Sequence, residues 1–147
     1  MITHINGLQG RKLDEVAAIW LAGNLDAHWF IAADYWRNYS HEVKTEIGTS
    51  ELFLSEANNK VNGFLGLVDG YIAVLFVAKK FRGHQIGTQL MTAVKQTRSK
   101  LSLSVYQKNQ SAYHFYRQQG FTVESQQADP VTNEVAFNMK WSAAGTQ

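Results

Sequence analysis

Apolar residues recur along this chain at two periods, about 3.6 and about 2, and the switches between them mark out the elements. Met1–Ile5 is short and mixed, and predicts an edge strand. Leu13, Val16, Ala17, Trp20 and Leu21 fall on one helical stripe, with Asp14 and Glu15 in a first turn where the helix dipole favours acids. This helix is expected to end around Gly23–Asp26. Asp34 then caps a second helix, over 34–47, that carries Tyr35, Trp36, Tyr39, Val43 and Ile47. The link between them, Asp26-Ala27-His28-Trp29-Phe30-Ile31, is unusually aromatic, so it either tucks into the core or lines a pocket.

Glu51–Ala57 and Val61–Val68 read as strands around Asn58-Asn59-Lys60, where asparagine tolerates positive φ and a hairpin turn follows. Asp69-Gly70 turns the chain into Tyr71–Ala78, an unbroken apolar run that predicts a strand buried on both faces. Ile86, Leu90, Ala93, Val94 and Thr97 then share a helical face, and that helix is expected to end near Lys100. Leu101–Tyr106 is a further strand, parallel to the central one through the crossover helix. Asn109 and Ser111 start a last helix that Gly120 stops. Phe121–Gln126 and Glu134–Trp141 are the final strands, joined near Asp129-Pro130, and Ser142–Gln147 reads as a frayed tail. The order is β-αα-βββ-α-β-α-ββ, a mixed α/β sheet.

Composition narrows the class. The 147 residues, 45% of them hydrophobic, fit a single folded domain spanning 1–147. The absence of cysteine excludes disulfides, thiolate metal sites and a cysteine nucleophile. No His/Asp/Glu spacing suggests a metal site. The first residues carry no basic-then-apolar signal pattern, and the run Tyr71–Ala78 is far too short to span a bilayer, so a cytoplasmic protein without a membrane partner is expected. A net charge of +2 is too small for nucleic-acid binding as the main activity.

The basic excess is local. Lys79, Lys80, Arg82 and His84 surround Gly83, with Gly87 at the start of the following helix. A strand, a glycine-bearing basic turn and a helix N-terminus make an anion site: the backbone approaches closely, and free amides and the dipole face the ligand. Residues 82–88 are therefore a candidate phosphate cradle. No Gly-Lys-Ser/Thr occurs, which rules out the nucleotide-hydrolase loop, and the three-glycine dinucleotide fingerprint is also absent.

The turn Arg82-Gly83-His84-Gln85-Ile86-Gly87 resembles the acyl-CoA-binding motif of the GNAT superfamily of N-acetyltransferases, Arg/Gln-x-x-Gly-x-Gly/Ala, with Gln85 where the pattern has a glycine. A second signature follows in VYQKNQSAYHFYRQQGF: Asn109, Ala112, Tyr116, Gly120 and Phe121 fill the family's Asn-x-x-Ala-x-x-x-Tyr and Gly-Phe positions. More narrowly, His28-x-Phe30-Ile31, Tyr35-Trp36-Arg37 and Val105–Gln110 resemble a small enterobacterial-type group, for some of which protein-lysine acetylation is proposed.

The resemblance implies direct transfer of an acetyl group from acetyl-CoA to a primary amine, small molecule or protein lysine, in a ternary complex. It implies that the central strand splays from its neighbour and that pantetheine pairs with the backbone near Phe76 and Val77. It implies pyrophosphate on Arg82, Gly83, His84, Gln85, Ile86, Gly87 and Thr88, the helical amide at Gln85 still donating. Asn109 would hold the pantetheine side. Tyr116 would protonate the leaving thiolate, a phenol of pKa about 10 against a thiol of about 8.5 or above. The Val77 amide would take the acetyl oxygen. Tyr116 shares a stripe with Ala112 and Phe115, so core packing is its other reading; for Asn109 the other reading is a plain N-cap, compatible with the first.

Many members use a glutamate base near the start of the central strand or within the next. Tyr71 and Ser104 stand there in this chain. His28 is the candidate base on the aromatic linker, against a packed loop histidine; Asp26, Asp69 or a water chain from Ser104 and Tyr71 are the other options. A non-catalytic acyl-CoA-binding module is the competing function, and free strand edges leave a homodimer open.

Overall fold

The computed structural model describes residues 1–144. Its elements follow the expected order: β1 (Ile2–Asn6), α1 (Gly10–Ala27), α2 (Ala33–Ile47), β2 (Glu51–Ala57), β3 (Lys60–Val68), β4 (Tyr71–Val77), α3 (Ile86–Lys95), β5 (Lys100–Tyr106), α4 (Gln110–Gln118), β6 (Thr122–Ala128) and β7 (Val135–Ser142). A 3-10 turn, Lys79–Phe81, follows β4. The seven strands form one sheet in the order β1-β2-β3-β4-β5-β7-β6, with β4–β5 the parallel pair.

Alternation along the strands builds two apolar layers. Phe53, Leu65, Leu67 and Leu103 face α3 and α4, whose Ile86, Leu90, Met91, Val94 and Tyr116 complete that layer. Leu52, Leu54 and Phe64 face the other way, onto Val16, Ile19 and Trp20 of α1 and Trp36 and Ile47 of α2. The β2–β3 hairpin closes through Asn58 and Asn59 at φ 54° and 62°, both left-handed, as its two-residue turn needs. α4 ends in a Schellman arrangement. Gly120, at φ 94°, donates to Arg117 O and Phe121 donates to Tyr116 O at 3.0 Å.

Several local expectations are corrected. α1 begins at Gly10, so Asp14 and Glu15 lie past its first turn. Glu15 instead receives the Val61 amide at 3.0 Å and Arg11 at 2.6 Å, tying α1 to the start of β3. α1 runs on to Ala27, beyond the expected end. The cap of α2 is Ala32, and Asp34 sits inside the first turn, where it favours the dipole without capping. α3 stops at Lys95, leaving Thr97 outside it, and Met91 joins its buried face. β4 is not buried on both faces: Tyr71 is 42% exposed and its second half is only partly covered, because β5 leaves it. Of the expected tail, Ser142 closes β7, and residues 145–147 lie outside the described residues.

Candidate active site

The site is an opening in the sheet. β4 and β5 are paired at Tyr71↔Ser102 and Ile72↔Leu103 and then part. On its other edge β4 stays paired to β3 as far as Gly63↔Val77. Ala78 donates to Asn62 O at 2.8 Å, so by the alternation of an antiparallel ladder Phe76 turns its backbone groups to β3, while Leu75 and Val77 turn theirs to the opening. Phe76, expected to offer backbone to pantetheine, offers its ring instead, which lines the cleft against Gly23 of α1. A Cβ at Gly23 would lie 2.4 Å from that ring, so only glycine lets α1 approach so closely.

The resulting cleft holds about 1190 Å³ and passes between the two layers. Arg82, Gly87, Asn109, Phe115 and Tyr116 line it at α3 and α4; Trp20, His28, Trp36, Phe76, Tyr106 and Asp129 line it toward α1 and α2.

On the first side the glycine turn leaves backbone amides without partners among the described residues. Gly83 is at φ 83° with open space where a Cβ would stand. Among the described residues, no acceptor within the chain is paired with the amides of Ile86, Gly87 and Thr88, and α3 has no side-chain cap. Gly87 brings the Phe115 ring within 3.4 Å of where a Cβ would be, which seats α4 against α3. Gln85 corrects the expectation of a helical amide: it is the N-cap residue, in left-handed backbone at φ 67°, ψ 14°. That conformation suits glycine, which accounts for the glycine in the motif that this sequence departs from. His84 is exposed beside Phe81. Arg82 donates to Val77 O at 3.2 Å and pairs with Asp26 at 2.9 Å. Its hydrogen bond to Asp26 is the main reason that carboxylate stays below its ordinary pKa.

Tyr116 is 8% exposed and lines the cleft. Burial pushes its phenol well above the ordinary value, with Tyr71 nearby adding to the shift. Its hydroxyl has no hydrogen-bond partner among the described residues, which leaves it free to donate into the cleft.

His28 sits deeper than a loop histidine. Nδ1 lies 2.8 Å from Asn24 Oδ1, and Nε2 lies 3.3 Å from Asn109 Nδ2. The flanking amides fix the tautomer. Asn24 spends its Nδ2 on Trp20 O at 2.9 Å, so its Oδ1 accepts from His28; Asn109 Oδ1 accepts the Ala112 amide at 3.4 Å, so its Nδ2 donates. His28 therefore carries its proton on Nδ1, and its Nε2 lone pair faces Asn109. Burial among Trp36, Phe76 and Tyr106 pulls its pKa down to about 4. This runs against the expected base: a weakly basic nitrogen whose lone pair is engaged is a poor proton acceptor. Asn109 caps α4, the plainer of its two readings, and its Nδ2 also reaches His28 across the cleft.

Sequence reasoning missed Asn24, Tyr106 and Asp129. Asn24 is 4% exposed, and its spacing of four residues from His28 is the one signal that could have found it, given an α1 that runs to Ala27. Tyr106 donates to Asp129 at 2.8 Å across 23 residues, a pairing only the fold creates. Among the described residues, no group of three His, Cys, Asp or Glu is placed to hold a metal, and no helix is long and apolar enough to cross a membrane.

Comparison with known proteins places this geometry. The family profile described as "Acetyltransferase (GNAT) domain" matches residues 48–123. The chain is 33% identical to the peptidyl-lysine N-acetyltransferase YiaC of Escherichia coli K12, over 97% of this chain and 99% of that one. It is 24% identical to the peptidyl-lysine N-acetyltransferase YjaB of the same organism over 84% of each. The solution structure of apo-YjaB superposes with a TM-score of 0.83 at 22% identity, covering 98% of this chain and 99% of that one, a likeness of fold. With the profile spanning more than half of the chain and YiaC matching nearly all of it, this protein belongs to the GNAT acetyltransferase family and is an N-acetyltransferase that uses acetyl-CoA.

Proposed function

We propose that the acceptor is the side-chain amine of a lysine in a peptide or protein. The supporting observation is the through-sheet cleft: the phosphate turn and Tyr116 lie on one side and an open aromatic mouth on the other, so donor and acceptor can enter from opposite faces. The name shared by the two E. coli relatives supports lysine over other amines.

In this reading the pyrophosphate lies on residues 82–88, with Arg82 exchanging part of its pairing with Asp26 for phosphate. Leu75 and Val77 receive pantetheine along the open edge of β4, and Asn109 receives it from α4. The amine nitrogen attacks the thioester carbon, and the oxygen gains negative charge beside the Val77 amide. The C–S bond breaks and Tyr116 gives its proton to the departing sulfur. Tyr116 regains a proton from water, and the proton lost by nitrogen leaves through water at the mouth. Burial keeps Tyr116 protonated and also makes it a weaker acid, so its proton moves only as negative charge builds on the adjacent sulfur. His28 stays neutral, orients Asn109 and walls the acceptor's path.

The chain works as one catalytic domain over 1–147, in the cytoplasm, with neither nucleic acid nor membrane as partner. β6 is exposed along its whole length and ends the sheet, which supports a homodimer through that edge; sedimentation velocity tests it. The acceptor assignment is tested by incubating the protein with acetyl-CoA and lysine peptides and locating the acetyl group by mass spectrometry. Acetylated ε-amines support it; acetylation of small amines alone overturns it.

A further inference from the structure

One carboxylate in the acceptor mouth is unused by the chemistry above. Asp129 stands between β6 and β7 and lines the cleft. Its Oδ1 accepts the amides of Val131 at 2.8 Å and Thr132 at 3.3 Å, and its Oδ2 accepts the Tyr106 hydroxyl. Partial burial opposes its ionisation, but these hydrogen bonds outweigh it and hold its pKa below the ordinary value. Tyr106 lies edge-on to Phe30 at 5.5 Å, and Tyr35 feels the same negative charge from α2. Lys108 on the cleft wall is taken by Glu134 at 3.0 Å and Arg82 by Asp26, and among the described residues no cation is paired with Asp129.

A carboxylate on the cleft wall with no cation paired to it attracts a positive group that enters the cleft. The cation does not serve as nucleophile: a carboxylate beside the reacting amine would favour its ammonium form and withhold the lone pair. We propose that Asp129, held on the cleft wall by the Tyr106 hydroxyl, selects acceptors that carry a second positive charge beside the amine acetylated, in a peptide a basic residue flanking the target lysine. This rests on the peptidyl-lysine reading.

The test uses two capped peptides with one lysine each, flanked by arginine in one and by neutral citrulline in the other. Asp129→Asn removes the charge while its amide oxygen still accepts the Val131 amide. The wild-type protein is expected to prefer the arginine peptide about tenfold in kcat/KM, mainly through KM. Asp129→Asn should bring the ratio within about twofold, with a lower melting temperature from its weakened hydrogen bonds to Val131, Thr132 and Tyr106. Tyr106→Phe, which frees the carboxylate, should keep the preference. Equal use of both peptides by the wild type, or a preference that survives Asp129→Asn, overturns the proposal. If neither peptide is acetylated, the peptidyl-lysine reading has failed separately. The same proteins are then compared on an aliphatic diamine and a monoamine of equal length. A diamine preference lost in Asp129→Asn sustains the role of Asp129; equal use overturns it.

Discussion

Asn109 donates to the imidazole of His28 at 3.3 Å, joining the cap of α4 to the end of α1 across the cleft. Asn24 receives the other side of the ring, so the histidine is clamped between two amides and carries its proton away from the opening. This arrangement makes His28 a fixed neutral strut, and its titration becomes a stability event.

The folded pKa of about 4 lies below the ordinary value near 6.5. The unfolded chain therefore binds the proton first, and stability present above pH 6.5 is lost as pH falls toward 4, by about 3 kcal/mol in all. His28→Gln, which cannot titrate, should flatten that part of the curve. Melting temperature against pH for the two proteins checks this. Parallel curves would mean that His28 is solvated.

Tyr116→Phe should lower kcat by about 10²- to 10⁴-fold and leave acetyl-CoA affinity unchanged, because the hydroxyl has no partner to lose in the resting protein. Stopped-flow turnover with isothermal titration of CoA separates the two. An unchanged kcat would return Tyr116 to a purely packing role.

Gln85 occupies left-handed backbone that costs a non-glycine residue about 1 kcal/mol. Gln85→Gly should raise the melting temperature by about 3 °C, less whatever the freer unfolded chain takes back. A clear fall would show that the Gln85 side chain contributes more than its backbone costs.

Gly23→Ala puts a methyl group 2.4 Å from the Phe76 ring. Either α1 or the ring must move, at about 1–3 kcal/mol. Since the ring is a wall of the cleft, the acceptor KM should rise along with the loss of stability. Thermal melts and acceptor kinetics on the same sample test the coupling.

The element order and the glycine turn before α3 were legible in the sequence because they rest on local signals: periodicity, Asn58-Asn59, Gly83, Asn109 and Gly120. The opening itself was not. Tyr71–Ala78 reads as doubly buried because its composition records apolar contact, and the half of β4 that borders the opening is as apolar as the packed half. The caps misled where a small backbone change decides them, as at Ala32 and Asp34. Tyr106 and Asp129 act through partners on other elements, whereas Asn24 bonds locally to Trp20 and His28 at the end of α1; His28 reads as a strut only once Asn24 and Asn109 surround it.

The central claim is transfer across the β4–β5 opening. Isotopically labelled acetyl-CoA, a lysine peptide and the wild-type or Tyr116→Phe protein test it, with label on the ε-amine followed by mass spectrometry over time. The account predicts steady labelling by the wild type and labelling at least about a hundredfold slower in the variant at equal CoA occupancy. Label that never reaches the peptide, or that reaches it equally fast with both proteins, contradicts it.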